Sequence, residues 1–161
     1  MIELPAHFVK TISGVHGEEG VAWLASFPET LAAVAERYNL TVGAPFNLSY
    51  NYVCAATRRD GTPVVLKLSP PYPEFYTEVA ALRHYDGRGC AQLLDADPDA
   101  GIAILERIFP GEMAHDLART NDDEATRIMA DVMTKLWRPL PPDHSFPTIA
   151  RWSQGLQRLR D

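Results

Sequence analysis

The sequence predicts an α+β fold, in which a mostly antiparallel five-stranded sheet with one inserted helix is followed by a helical tail. First, short β-branched and aliphatic runs, separated by turn residues, recur between residues 40 and 108. Second, the pattern switches to a helical period within this region, after Glu74. Third, only the helical period continues beyond Phe109-Pro110-Gly111. The chain is therefore expected to divide into a sheet-containing part, 1–108, and a helical part, 109–161.

Length and composition exclude several classes of protein. A chain of 161 residues can bury one substantial core, and its 46% apolar and 22% charged residues exclude disorder and collagen-like repeats. The net charge of −6 argues against nucleic acid as the principal partner. The sequence shows neither a signal peptide nor an apolar run of about eighteen residues, so a cytoplasmic protein without a membrane span is expected.

The two cysteines, Cys54 and Cys90, form neither a CxxC pair nor a zinc pattern. Cysteines in a reducing cytosol are most simply buried and unreactive. We therefore predict that both thiols are buried.

The first forty residues predict a surface arm and two helices. Residues 1–15 carry little pattern and are expected to lie across the surface, and residues 17–25 suit a short helix with an acidic first turn. Ser26 is a predicted cap and Pro28 suits the first turn of the following helix, which should end near Asn39.

The strands follow, with turn residues between them. Strands are predicted at 40–43 and 52–57, joined by a turn at 47–51. Asp60-Gly61 predicts a hairpin turn, because such turns need positive φ angles, and its second arm is the strand that contains Lys67. Two further strands, 91–95 and 102–108, are predicted on either side of the turn at 97–101.

The helices are predicted from apolar spacing and caps. Phe75, Val79 and Leu82 recur at i, i+4 and i+7, and Gly87 is available to end that helix. In the tail, helices are predicted at 113–118, at 122–137 with Asn121 as its cap, and at 149–160 after a proline-rich connector. The apolar face of the 122–137 helix is expected to be exposed and to favour a homodimer.

Lys67 and Glu78 are the candidate functional pair. A lysine on a strand and a glutamate on the next helix, eleven residues later, can pair across the intervening turn. Kinases use this arrangement to hold a lysine against nucleotide phosphates. In the simpler alternative, Lys67 is a lysine at a strand edge whose amino group reaches solvent, and Glu78 is a solvated helix residue.

Three stretches carry a resemblance to a known family: VVLKL at 64–68, EFYTEVAALRHYDGRG at 74–89 and AQLLDADPDAGIAILERIFPG at 91–111. They resemble the aminoglycoside phosphotransferases, in the branch of the streptomycin 6-kinases and hydroxyurea phosphotransferases, which is itself similar to protein kinases. The resemblance implies that residues 1–108 form a kinase-like amino-terminal lobe with its hinge. It also implies that residues 109–161 begin a helical carboxy-terminal lobe.

The resemblance also implies a site for ATP and Mg²⁺. Lys67 would reach the α- and β-phosphates, with Glu78 holding it extended. The backbone of Glu106 and Ile108 would meet the adenine edge at the hinge, and the turn containing Ser49 would lie over the phosphates. The sequence departs from the kinase pattern at that turn, because it has no G-x-G-x-x-G there.

Catalytic and metal-binding residues are not expected within this chain. The family's H-G-D-x-x-x-x-N loop and magnesium aspartate have no match, and the similar spacing of Asp116 and Asn121 follows the hinge too closely to be that loop. The predicted last helix runs to the end of the sequence without a cap, and we expect the chain to be part of a longer protein. We therefore expect the metal ligands to lie in a missing lobe and this chain alone to be inactive.

The resulting hypothesis is ATP-dependent phosphorylation of a hydroxyl on a small molecule, an aminoglycoside such as streptomycin, which would make the protein an antibiotic resistance kinase. One alternative is a small-molecule kinase for choline, an amino acid or a sugar. Another is a non-catalytic module that binds a nucleotide or a protein. A downstream H-G-D-x-x-x-x-N loop would favour a kinase, and a native stop codon would favour the module.

Overall fold

The computed structural model describes residues 3–144 and 146–157, which form an α+β fold of six α-helices and five strands. In chain order the elements are α1 Ala6–Ala25, α2 Phe27–Arg37, β1 Leu40–Pro45, β2 Tyr52–Arg58, β3 Pro63–Leu68, α3 Pro73–Tyr85, β4 Leu93–Asp97, β5 Ile102–Glu106, α4 Ala114–Ala118, α5 Asp122–Leu136 and α6 Ile149–Gln157. None of the helices in these two ranges is long and apolar enough to cross a membrane. The predicted α+β class is confirmed.

All five strands pair antiparallel, in the order β1-β2-β3-β5-β4. The predicted hairpin joins β2 to β3, where Arg58 N–H donates to the Thr62 carbonyl at 2.9 Å. Only Gly61 of the Asp-Gly pair takes a positive φ, of 87°. Because β5 inserts between β3 and β4, β3 lies at the centre of the sheet and Lys67 lies directly opposite Ala103 of β5.

The main core lies on the face of the sheet that α1 and α2 cover. Phe8 and Ile12 of α1 are fully buried, so the prediction that residues 1–15 form a surface arm is wrong. Their i, i+4 spacing places both side chains on one side of a helix, although polar residues lie between them. Gly17, with φ 57°, kinks α1. The predicted helix at 17–25 is therefore the second half of α1.

Ser26 does not cap α2, which corrects the sequence prediction. The Ser26 hydroxyl donates to the carbonyls of Ala22 and Trp23, each at 3.3 Å, and so belongs to the end of α1. Pro28 lies in the first turn of α2, as predicted, since a helix start tolerates a missing N–H.

Helix α3 packs on the opposite face of the sheet. Its buried residues Phe75 and Val79 contact Ala103 in a second, smaller apolar cluster. The helix ends at Asp86, in the left-handed conformation with φ 50°, and Gly87 follows with φ 73°. The predicted end of this helix is confirmed, although an aspartate takes the first left-handed position.

The last two strands end earlier or begin later than predicted. Strand β4 covers Leu93–Asp97 instead of 91–95, and the Asp97 carboxylate accepts from Ala100 N–H at 3.2 Å, which ends the strand in a short 3-10 turn. Strand β5 ends at Glu106 instead of Ile108, so two residues separate it from Phe109-Pro110-Gly111. Proline cannot donate to a strand ladder, so the sheet does not continue there.

The helical tail docks through α5. The Asn121 side chain caps α5, as predicted, by accepting from Glu124 N–H at 3.1 Å. Gly89, with φ +79°, lies against α5, where an added Cβ would be 3.1 Å from Leu136 Cγ and from the Val132 carbonyl. The predicted last helix begins at Ile149 and is described to Gln157; its predicted continuation to residue 160 lies outside the described residues.

Candidate functional site

Lys67 and Glu78 form an ion pair, which confirms the predicted contact. Strand alternation turns Lys67 away from the main core, because its neighbours Leu66 and Leu68 are buried on the other face. Glu78 precedes the buried Val79 on α3 and therefore points partly inward. The distance from Lys67 Nζ to Glu78 Oε1 is 2.5 Å, and the two side chains are 15% and 33% exposed.

The Lys67 ammonium retains capacity to bind an anion. It lies 6.0 Å from the centroid of the Phe75 ring, so one side of the charge faces an aromatic surface. An ammonium carries three N–H donors, and the bond to Glu78 is the only one of its hydrogen bonds recorded within the described residues. The carboxylate therefore fixes the lysine in an extended position while two donors remain available.

A strip of half-buried apolar residues adjoins Lys67 on the same face of the sheet. Lys67 pairs directly with Val53 on one side and with Ala103 on the other, and Val65 pairs with Leu105. Directly opposite residues share a face, so these side chains line one surface. Val53, Val65 and Leu105 remain partly exposed. A cation beside such an apolar strip suits a ligand that joins a flat ring to an anionic group.

Phe46 and Arg107 contact each other, and no pattern in the sequence predicts that contact. The guanidinium carbon of Arg107 is 4.6 Å from the Phe46 ring centroid and 5.5 Å from the Phe109 ring centroid. Phe46 follows β1, and its N–H donates to the Val53 carbonyl at 2.9 Å. In the sequence, only the spacing of Arg107 two positions before Phe109 could have suggested a contact between a cation and an aromatic ring. The contact with Phe46 joins residues that are sixty-one positions apart, so local patterns could not predict it.

Glu106 and Ile108, the two predicted hinge residues, lie where β5 ends. The Glu106 N–H donates to the Gln92 carbonyl at 2.9 Å, so a ligand would have to use the Glu106 carbonyl oxygen. Ile108 lies beyond the strand and is 54% exposed. Their adenine-binding roles stay predictions.

Ser49 lies exposed in the turn between β1 and β2. The turn is anchored by the buried Leu48, whose carbonyl is hydrogen-bonded to His7 Nε2 at 2.9 Å. In the part of the chain that the structure describes, no hydrogen bond joins Ser49 to Lys67 or Glu78. The structure thus brings Lys67 and Glu78 together, and the phosphate-binding role of Ser49 stays a prediction.

The spacing of Asp116 and Asn121 does not form a catalytic loop. Asp116 lies on the short helix α4, whereas the Asn121 side-chain oxygen is occupied in capping α5. Within residues 3–144 and 146–157, no group of three or more His, Cys, Asp or Glu side chains could hold a metal ion.

A separate cavity of about 470 Å³ lies at the other side of the sheet, near the β2–β3 turn. Its lining includes Arg37, Arg58 and Asp95, and Arg37 also forms an ion pair with Asp97 at 2.7 Å. The hydrogen bond from Arg37 is the main cause that lowers the pKa of Asp97 below its ordinary value. Ile104 belongs to the main core, on the opposite face from Lys67, and it lines this cavity. The cavity is therefore not part of the Lys67 site.

The central strand of this antiparallel sheet carries a lysine that pairs with a glutamate on the following helix. Phosphotransferases use this arrangement. The chain belongs to the aminoglycoside/hydroxyurea antibiotic resistance kinase family, whose model matches residues 42–160. The resemblance drawn from the sequence is thereby confirmed.

Three curated relatives are similar to this chain. A streptomycin 6-kinase of Streptomyces glaucescens is 33% identical over 84% of this chain and 44% of the relative. A hydroxyurea phosphotransferase of Kitasatospora aureofaciens is 31% identical over 89% of this chain and 42% of the relative. A streptomycin 6-kinase of Streptomyces griseus is 33% identical over 88% of this chain and 46% of the relative. The chain thus spans less than half the length of the relatives it matches.

Proposed function

We propose that this chain is the nucleotide-binding part of an ATP-dependent phosphotransferase, folded as a kinase-like amino-terminal lobe with its hinge. The proposed reaction is phosphorylation of a hydroxyl of an aminoglycoside such as streptomycin. One observation carries the proposal: the Lys67–Glu78 ion pair lies beside a half-buried apolar strip in a member of a kinase family. ATP matches this surface chemically, because it joins a flat purine to an anionic triphosphate.

Lys67 is the residue proposed to bind the phosphates. Its ammonium would donate to phosphate oxygens, while the strip of Val53, Val65 and Leu105 would contact the purine. Glu78 is proposed as a positioning residue, since it contacts the lysine and holds it extended. Charge neutralisation and positioning are the main protein contributions to phosphoryl transfer.

The relatives support the proposed acceptor. Two of the three are streptomycin 6-kinases, and the third is a hydroxyurea phosphotransferase, which makes hydroxyurea the second candidate acceptor. A cationic aminoglycoside also suits a chain with a net charge of −6.

The base that activates the acceptor and the ligands for magnesium are proposed to lie outside the described residues. Phosphoryl transfer in kinases uses an aspartate to orient the hydroxyl and metal ions to neutralise developing charge. Asp116 and Asn121 do not supply that pair here, because Asn121 is engaged as a helix cap. We therefore expect nucleotide binding by this chain without phosphoryl transfer.

Replacement of Lys67 tests the nucleotide site. We expect Lys67→Met to weaken MgATP binding by roughly tenfold or more, because charged hydrogen bonds to phosphate are lost. The free energy of unfolding should change by about 1 kcal/mol or less, as for a partly exposed side chain. Isothermal titration calorimetry measures the first quantity and urea unfolding the second. Lys10→Met, at an exposed position of α1, is the matched control; equal MgATP binding by the Lys67 variant and the wild type would reject the assignment.

A coupled ADP-release assay tests the second part of the proposal. The 161-residue chain is expected to show no turnover with streptomycin or hydroxyurea as acceptor. Turnover that disappears in Asp116→Ala would show that the D-x-x-x-x-N spacing is catalytic after all.

A further inference from the structure

Arg107 is held by aromatic rings and not by a carboxylate. Its guanidinium carbon lies 4.6 Å from the Phe46 centroid and 5.5 Å from the Phe109 centroid, both within cation–π distance. No ion pair within the described residues includes Arg107. Phe46 and Phe109 remain 38% and 66% exposed, so neither ring is buried in a core. Within the described residues, the contacts with these two rings therefore hold the Arg107 guanidinium in place.

The Arg107–Phe46 contact joins two segments that are far apart in the sheet. Arg107 follows β5 and Phe46 follows β1, and strands β3 and β2 lie between those two strands in the sheet. At about 4.8 Å between neighbouring strands, a flat sheet would separate β5 from β1 by roughly 14 Å. The two side chains must therefore extend across the intervening strands to meet.

The strand registers show which residues of the sheet Phe46 and Arg107 adjoin. Phe46 N–H donates to the Val53 carbonyl, and Val53 is the direct partner of Lys67. Arg107 comes two residues after Leu105, which faces the same side as Lys67. Phe46 and Arg107 therefore lie next to the strands that carry the apolar strip and Lys67.

We propose that Arg107 occupies the stacking position on Phe46 that the purine ring of a bound nucleotide takes. This inference rests on the proposed function and names a side chain that competes with the purine in the same site. A guanidinium and a purine are both planar and both stack on an aromatic face, so they compete for one ring. Binding of the purine displaces Arg107 from Phe46, and departure of the nucleotide restores the stack.

Competition and charge predict opposite changes in MgATP affinity when Arg107 is removed. Removing a positive charge near an anionic nucleotide should weaken its binding by electrostatics. Removing a competitor for Phe46 should instead strengthen it. Since an exposed cation–π contact corresponds to roughly a two- to fivefold change in an equilibrium constant, we expect Arg107→Ala to bind MgATP about two- to fivefold more tightly.

The experiment is a double-mutant cycle in the full 161-residue chain, read by calorimetry. Wild type, Arg107→Ala, Phe46→Ala and the double variant are titrated with MgATP and with magnesium tripolyphosphate, which carries no base. We expect Arg107→Ala to tighten MgATP binding only where Phe46 is present, and not to tighten tripolyphosphate binding. Arg59→Ala, at an exposed residue of the β2–β3 turn, controls for the lost charge and should give no gain.

NMR gives a second measurement that does not depend on the variants folding well. In the free wild-type chain the Arg107 side-chain resonances should be shifted by the ring current of Phe46. Saturating MgATP should move them towards unshifted positions, whereas tripolyphosphate should not. Resonances that stay unchanged at saturation would overturn the proposal.

The outcomes separate this inference from the proposed function. If Lys67→Met weakens MgATP binding but Arg107→Ala leaves it equal or weaker, the competition is wrong and the nucleotide site stands. If wild type and Lys67→Met bind MgATP equally, the nucleotide site fails and the inference fails with it.

Discussion

A lysine on the central strand of a sheet needs a partner for its charge. The Lys67 side chain is only 15% exposed, so its ammonium has lost much of its hydration, and the Glu78 carboxylate offsets part of that cost. The pair also lies close to the Phe75 ring, which limits the positions the ammonium can take. A ligand phosphate would meet a charge that is already oriented, so less conformational entropy is lost on binding.

The two cysteines differ in burial. Cys54 is fully buried, whereas Cys90 is only partly buried, so the prediction that both are buried is wrong for Cys90. Cys90 lies in the loop after α3, where no second layer covers it completely. Burial raises the pKa of the Cys54 thiol to about 11.

The difference predicts one reactive thiol in the native protein. At pH 8 a thiol with that pKa is roughly one part in a thousand thiolate, and the buried sulfur is also out of reach of reagents. Titration with Ellman's reagent should therefore show one fast thiol, and a second only after unfolding in urea. Cys90→Ser should abolish the fast phase; two fast thiols in the native wild type would contradict the assignment.

At the level of single elements, local patterns predicted most of the sheet. The β2–β3 hairpin and the switch from β3 to α3 follow from the Asp-Gly turn, three prolines and a change of period, all within thirty residues. The Lys67–Glu78 contact was predictable for the same reason, because both residues lie on adjacent elements. Helix α1 was missed at its start, because its two buried side chains at 8 and 12 acquire meaning only when the sheet packs against them.

Gly101 shows how one element end depends on a distant neighbour. It has φ +67°, and an added Cβ would lie 2.0 Å from the carbonyl oxygen of Ser69. The Ser69 N–H donates to the Gly101 carbonyl at 3.0 Å, so the two backbones are held together. This contact fixes the start of β5 against the end of β3, the strand that positions Lys67.

Substitution at Gly101 should therefore destabilise the fold. We expect Gly101→Ala to lower the free energy of unfolding by roughly 2–4 kcal/mol, from left-handed strain together with displaced backbone. Gly61→Ala is the matched control: its φ is +87°, but no atom lies within 4 Å of the added Cβ. It should cost about 1 kcal/mol from strain alone. Urea unfolding measures both, and equal losses would show that the close approach to Ser69 does not matter.

At the scale of the whole molecule, the two faces of the sheet differ in how far helices cover them. Helices α1 and α2 cover one face and bury the main core, whereas α3 covers only part of the other and leaves the Lys67 strip accessible. The contact between Arg107 and Phe46, beside that strip, joins residues that follow the distant strands β5 and β1. No local period in the sequence records such contacts, so the stack of Arg107 on Phe46 could not have been predicted.

The helical tail presents a further accessible surface on α5. Met129 and Met133 lie one turn apart at the end of this helix, and Trp137 directly follows its last residue. The exposed fractions of these three side chains are 55%, 50% and 74%. An apolar stripe of this kind on a protein surface commonly binds another apolar surface. A second copy of the chain offers the same stripe, so a symmetric contact between two α5 helices is available.

We therefore predict that the 161-residue chain self-associates through the α5 stripe as its concentration rises. Met133→Glu should shift the equilibrium towards monomer, because association would then bury a charge in an apolar contact. Sedimentation velocity over a concentration series measures the change. Val21→Glu, at a residue of α1 that is 55% exposed, places the same charge on a different surface and should leave association unchanged. A wild-type chain that stays monomeric throughout, or an equal effect of both substitutions, would show that α5 is not the contact surface.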